Sequence, residues 1–389
     1  MRLFRCFTAT PEPGANLKSH SGTIFNESGK PARKSEVSEV ATRPRGRNLT
    51  FGAEAQEGLC RSAGGNMDKN RNTLIGSATV LIFSLLATYT PTNGGNTKPD
   101  DTEVRGQRPL LWRDPADIAS RNLYYGPGGK AHEPRGPFTF EKEVMAGSNP
   151  KFDIVDGNGV KWRVKLGDEA RPETVASRLV WAVGYFANED YFMPVLHVQN
   201  MRRLHRGGER VSRDGTVLNV RLKRHLKDEK KIGIWPWATN PFTGTREWYG
   251  LRVLMAVMNN WDLKDPNNSV YQARQYPEQR YMVSDLGASF GTTGLSWTLR
   301  GNLKAYSQSK WINHVSPEFI DFNVPAWPAV NRWIGRHIPI ADARWMGHLL
   351  ARLSAHQIRD AFRAAGYSEQ EVEEFSRVVE RRIGELKKL

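Results

Sequence analysis

The chain has 389 residues and a hydrophobic fraction of 39%, enough for one large domain or two smaller ones with a real core, which excludes a small stapled scaffold. Its formal charge of +15 favours phosphate-bearing or other anionic partners without naming one. Both cysteines, Cys6 and Cys60, fall within residues 1–66, so neither a disulfide framework nor a cysteine-rich zinc site can organise the remainder.

Residues 1–66 are rich in Ser, Gly, Arg and Glu and keep no period of 2 or 3.6, which predicts a disordered or mis-annotated extension. Met67-Asp68-Lys69-Asn70-Arg71 then leads into an apolar run from Leu74 to Tyr89 and a polar stretch beyond it. Basic, apolar, polar is the order of a secretory signal, so 67–90 are expected to form a signal peptide or N-terminal anchor. Uncleaved, 74–89 would tether the chain to a membrane, and in either case the rest is expected outside the cytoplasm: secreted, periplasmic or anchored. A buried helix of an internal domain is the alternative for this run. Residues 91–136, with much Pro, Gly, Asn and charge and only short apolar clusters, predict a linker that partly docks.

From Phe138 the texture changes. Phe138–Val144 alternates as a strand, Met145–Pro150 is a turn cluster, Lys151–Val155 is a second strand, Asp156–Gly159 a hairpin turn and Val160–Leu166 a third strand. Pro172–Phe186 reads as a helix with Val175, Leu179, Val180 and Val183 on one side, followed by extended segments near Phe192–Val198 and Thr216–Leu222. Beyond Thr245 the chain reads as mostly helical, beginning with Arg246–Met258. Near the end, Ser354-x-x-Gln357 and Ser368-x-x-Glu371 are capping boxes, and Gly366 is placed to stop a helix.

Phosphoryl transfer asks for a cover over the phosphates, a cation on them, bound Mg²⁺ and a carboxylate near the incoming hydroxyl. Val164-Lys165 on the third strand resembles the strand lysine of protein kinases, and Glu173 on the next helix resembles its ion-pair partner, with Glu169 a rival for that place. Asp262-Leu263-Lys264-Asp265-Pro266-Asn267 resembles the kinase catalytic loop, and Asp285-Leu286-Gly287 its second metal loop. This resemblance to an atypical protein-kinase-like superfamily, similar to secreted and spore-coat kinases and to lipid kinases, implies a two-lobed α+β fold. An antiparallel-sheet small lobe would occupy 137–225 and a mostly helical large lobe 226–389. It further implies that Asp262 orients the acceptor hydroxyl, Lys264 neutralises the transferred phosphoryl group, and Asn267 and Asp285 hold Mg²⁺ or Mn²⁺, with Asn268 able to substitute for Asn267. Lys165 and Glu173 would serve ATP or another nucleotide, together with Gly147 and Ser148 in the turn over its phosphates.

The sequence departs from that pattern in two places. The turn Met145–Asn149 holds one glycine, and Asn260-Trp261 stands where a His-Arg pair is usual. The expected function is an exported phosphotransferase acting on a hydroxyl of a protein, lipid or glycan. A catalytically inactive kinase-fold binding module and an envelope-anchored protein for anionic polymers are the alternatives. The basic run from Arg202 to Arg213 could meet an anionic substrate, but no aromatic residue interleaves it for base stacking, so no nucleic acid is expected as a partner.

Overall fold

The computed structural model describes residues 108–274, 277–293, 298–326 and 328–389. The expected extension over 1–66 and signal segment over 67–90 lie outside the described residues. Among the described residues no helix is long and apolar enough to cross a membrane.

The strands are β1 (Arg108–Leu110), β2 (Phe138–Glu143), β3 (Lys151–Val155), β4 (Lys161–Lys165), β5 (Asp190–Gln199), β6 (Thr216–Arg224), β7 (Glu229–Gly233), β8 (Asn268–Ala273), β9 (Glu278–Val283), β10 (Thr292–Thr293), β11 (Thr298–Leu299), β12 (Ile312–Val315), β13 (Phe319–Phe322) and β14 (Ile338–Pro339). The helices are α1 (Ala170–Ala182), α2 (Arg246–Val257), α3 (Leu303–Gln308), α4 (Ile340–Leu350), α5 (Ala355–Arg363) and α6 (Glu369–Lys387).

The first lobe is a sheet in the order β2-β3-β4-β6-β5, antiparallel throughout except where β2 meets β5 in parallel and closes a barrel. Alternation along each strand sorts its side chains onto two faces. Phe152 and Ile154, Trp162 and Val164, and Val220 and Leu222 fill the barrel and are buried. The other face carries charge in two registered rows, Lys151–Lys165–Arg221 and Asp153–Arg163–Lys223. This is the face that the site uses.

Helices α2 to α6 build the second lobe, and short sheets lie among them, of which the sequence reading had only the extended run into Asp285. Strands β8 and β9 pair with β7 and β1, and β12, β13 and β14 form a three-stranded sheet. Most of these segments are too short or too polar to show a clear period of 2, which is why they read as loop. Both expected capping boxes form, and α6 buries Val372, Phe375, Val379, Ile383 and Leu386 against α4 and α5.

Helix α1 stops at Ala182, four residues short of the expected end. Gly184 takes φ +97, a left-handed conformation that ends the helix and favours glycine. The segment from 108 to 136 docks there. The Trp112 indole donates to the Val183 carbonyl at 2.7 Å, Arg113 N donates to the Gly184 carbonyl at 3.0 Å, and Leu111, Ile118 and Leu123 are buried in the main core. A side chain at Gly184 would run into the Arg113 carbonyl and lie 2.6 Å from the Trp112 indole nitrogen. Gly184→Ala is therefore expected to lower stability by about 2–4 kcal/mol. Urea denaturation reads the loss, and faster proteolysis near 108–118 would place it at the docked segment.

Candidate active site

Lys165 ends β4, and only 3% of it is exposed. Its ammonium meets three carboxylates: Glu173 on α1 at 2.8 Å, Glu169 at the N-cap of α1 at 3.0 Å, and Asp285 just past β9 at 3.0 Å. The two candidate helix partners thus both reach the lysine. Glu173 is the deeper of them, because its second oxygen takes a 2.8 Å bond from Arg221 on β6, which also faces the fully buried Asp190 on β5 at 3.4 Å. Burial alone would lower the Lys165 pKa, but Asp285, Glu173 and Glu169 outweigh it and hold the ammonium well above the usual lysine range. For Asp285 burial pushes upward, and Lys165 and Arg221 outweigh it, keeping the carboxylate ionised far below its ordinary value. Oxygens of Glu169, Glu173 and Asp285 lie within 4.8 Å of one another. The cation at their centre is the Lys165 ammonium.

Asp262 and Lys264 pair with each other at 2.8 Å on the loop after α2. Buried Trp261 and Leu263 anchor that loop, and Trp261 N donates to the Ala288 carbonyl at 3.1 Å. Asn267 ties this loop to the Asp285 segment. Its side-chain amide donates to the Asp262 carbonyl at 2.7 Å, while its own carbonyl accepts from Ser284 N at 2.8 Å and Asp285 N at 3.3 Å. Asn268 is fully buried and donates to the Trp235 carbonyl, so its amide serves the core. A divalent cation such as Mg²⁺ or Mn²⁺ takes hard oxygen ligands. With Asn267 Nδ2 and Asp285 Oδ1 engaged, Asn267 Oδ1 and Asp285 Oδ2 have no protein partner among the described residues, and this donor set fits such an ion.

Gly147 and Ser148 lie exposed on the turn between β2 and β3, with Gly147 at φ +75. Neither is hydrogen-bonded to Lys165 or Asp285, and the turn reaches the cluster through Asn149, whose amide donates to Glu169 at 2.5 Å. Arg300, beyond the Asp285 loop, closes on Glu169 from the other side at 2.7 Å. Sequence reasoning missed Arg221, Asp190, Asn149 and Arg300. The Arg-x-Lys and Lys-x-Asp alternation along β6 and β3 was the available signal for a charged sheet face. A cavity of ≈ 520 Å³ continues along that face, lined by Arg163, Lys223, His225, Tyr271 and Met282 among others.

A strand lysine, a helix glutamate and an aspartate 120 residues downstream thus converge on one buried ion cluster, with the Asp262 loop bonded behind it. The fold is protein-kinase-like. No family model matches the sequence, and no curated protein sequence matches it. Among solved structures the chain is similar to the Helicobacter pylori proinflammatory kinase CtkA, at 12% identity and a TM-score of 0.40, covering 64% of this chain and 95% of that one. It is also similar to the Golgi casein kinase, at 11% identity and a TM-score of 0.35, covering 65% of this chain and 73% of the other. At that distance the chemistry of the site is read from its own side chains.

On the same face, Asp153 holds Arg163 through two bonds, of 2.9 and 3.1 Å, with His225 3.6 Å away. Burial pushes the Asp153 carboxyl up, and His225 and Arg163 outweigh that and hold it at about 2, below the ordinary 3.8. A carboxyl depressed on folding adds stability above its unfolded pKa and loses it as pH falls through the folded one. Asp153→Asn is expected to cost about 2 kcal/mol at neutral pH, with the gap to wild type closing as pH falls from about 4 to about 2. Denaturation of both proteins across that range measures it.

Proposed function

We propose that the chain is an exported phosphotransferase that moves the terminal phosphoryl group of ATP or a related nucleotide to a hydroxyl on a protein, lipid or glycan. The observation that carries this reading is the meeting of Lys165 with both Glu173 and Asp285, at 2.8 and 3.0 Å. A buried lysine so fixed is a preset cation for phosphate oxygens, which costs no reorganisation at the moment of reaction. Glu173, itself held by Arg221, sets where that ammonium points.

Asp285 and Asn267 would hold Mg²⁺ or Mn²⁺, which when bound draws charge from the phosphate oxygens. Asp262 would accept a hydrogen bond from the acceptor hydroxyl and orient it, and Lys264, its neighbour at 2.8 Å, would offset the charge of the group in transfer. The turn with Gly147 and Ser148 would lie over the phosphates. The cavity beside Arg163 has room for a nucleobase.

Wild type is expected to bind nucleotide in the presence of Mg²⁺ or Mn²⁺ and to turn it over. Asp285→Ala should lower the rate by about 10²–10³-fold or more. Transfer of label from γ-labelled ATP, measured beside Asp262→Ala, tests the reading, and variants as active as wild type would overturn the site. Nucleotide binding without turnover would move the reading to a binding module.

Export is inferred from 67–90 alone. Residues 67–100 fused to a reporter active only outside the cytoplasm should give signal, and a silent fusion would remove the extracytoplasmic reading.

A further inference from the structure

We propose that Lys151 is a second phosphate-binding cation, a side-chain substitute for the backbone contacts that a glycine-rich turn would supply, and that it grips the outer part of a polyphosphate chain. The inference deepens the phosphotransferase reading and rests on it.

Lys151 opens β3 directly after the turn Met145–Pro150, and its register partner on β4 is Lys165. Residues directly opposite in an antiparallel pair share a face, with Cβ atoms roughly 4.5–5.5 Å apart. Lys165 in turn faces Arg221, so three cations stand in one row across three strands. Two of them have carboxylate partners: Lys165 has three, and Arg221 has Glu173 and Asp190. Lys151 forms no ion pair among the described residues.

Its ammonium folds back over the turn, and a Cβ built on Gly147 would lie 2.9 Å from Nζ. Arg206 caps that turn, donating to the Gly147 carbonyl at 2.6 Å and to the Val144 carbonyl just before it at 3.0 Å. The turn therefore presents an ammonium and a guanidinium, and the carboxylate that attracts Lys151, Asp285, does so across the gap without pairing with it. Burial and the charge of Lys165 push the Lys151 pKa down by more than Asp285 raises it, so the folded protein holds this cation at a cost that a bound anion relieves. An oxyanion chain lying between the turn and Asp285 would touch Lys165 on one side and Lys151 on the other. A point charge on a flexible stem suits successive phosphates, where a single-glycine turn offers less backbone approach.

Calorimetric titration of the full chain with sodium tripolyphosphate, ATP and adenosine, each with Mg²⁺, tests this. Lys151→Met should weaken tripolyphosphate and ATP about tenfold or more and leave adenosine unchanged. Lys151→Arg should keep most of the wild-type affinity, with thermal midpoints unchanged. Lys151→Gln carries the same reading if the Met variant fails to fold. The proposal is overturned if wild type does not bind tripolyphosphate, if the neutral variants bind it as tightly as wild type, or if adenosine weakens equally. Wild type that binds tripolyphosphate through Lys151 yet transfers no phosphoryl group would sink the phosphotransferase reading alone. Wild type that transfers it with an unchanged KM in Lys151→Met would sink this proposal alone.

Discussion

The site is organised around one ammonium taken out of water. Burying a lone lysine costs several kcal/mol, and burying a lone carboxylate costs as much, so neither Lys165 nor Glu173 could stand alone where it is. Grouped with Asp285 and Glu169 they compensate one another, and the compensation holds only if the end of β4, the start of α1 and the loop after β9 keep their places. A charge cluster of this kind acts as a positional constraint: loss of Lys165 would take from three carboxylates the cation they share, which costs more than any single pair contributes. Arg221 and Asp190 extend the constraint into the barrel, so that Glu173 is gripped from two strands and cannot shift without uncovering both arginine and lysine.

Much of this was legible in the sequence, and the reason is local. Period-2 alternation located β2, β3, β4, β5 and β6, because each has one face buried in the barrel, and the capping boxes located α5 and α6. Lys165, Glu173 and Asp285 could be named because they fall at the ends of elements that such patterns reveal. What could not be read were the relations between elements. The barrel closes through a parallel register of Phe138 with Val198 and Thr139 with Gln199, which no local pattern encodes. Arg221, Asn149 and Arg300 join the cluster by tertiary approach, and alternation says only that such residues leave the apolar face. The segment over 91–136 was expected to be a linker that docks in part, and from 108 its short apolar clusters bury Leu111, Ile118 and Leu123 completely or nearly so.

The small lobe also distributes its charge unusually for a sheet. One face of an antiparallel barrel commonly meets water, where charged side chains cost little. Here the charged face is partly covered by α1, so Lys165 and Arg221 are buried and their partners come from three directions. The neighbouring row, Asp153–Arg163–Lys223, settles the same problem differently, with a two-bond pair and a lysine set near the Tyr271 ring. The first row reaches Asp285 in the second lobe, so its compensation also ties the lobes together, whereas the Asp153–Arg163 pair lies within the barrel.

The glycine of Asp285-Leu286-Gly287 has a role that differs from the usual one of permitting a left-handed turn. Its backbone takes no positive φ, but a Cβ there would fall 2.6 Å from Cβ of Glu169. Glu169 is the carboxylate to which Asn149, Lys165 and Arg300 all converge. The smallest side chain in the motif therefore makes room for the residue at which the turn before β3, the strand lysine and the segment beyond the aspartate meet. Enlarging it would alter the site by expelling Glu169, and through the Gly287 N bond to Asp285 Oδ1 at 3.3 Å and the shared Lys165 the change would reach the aspartate as well.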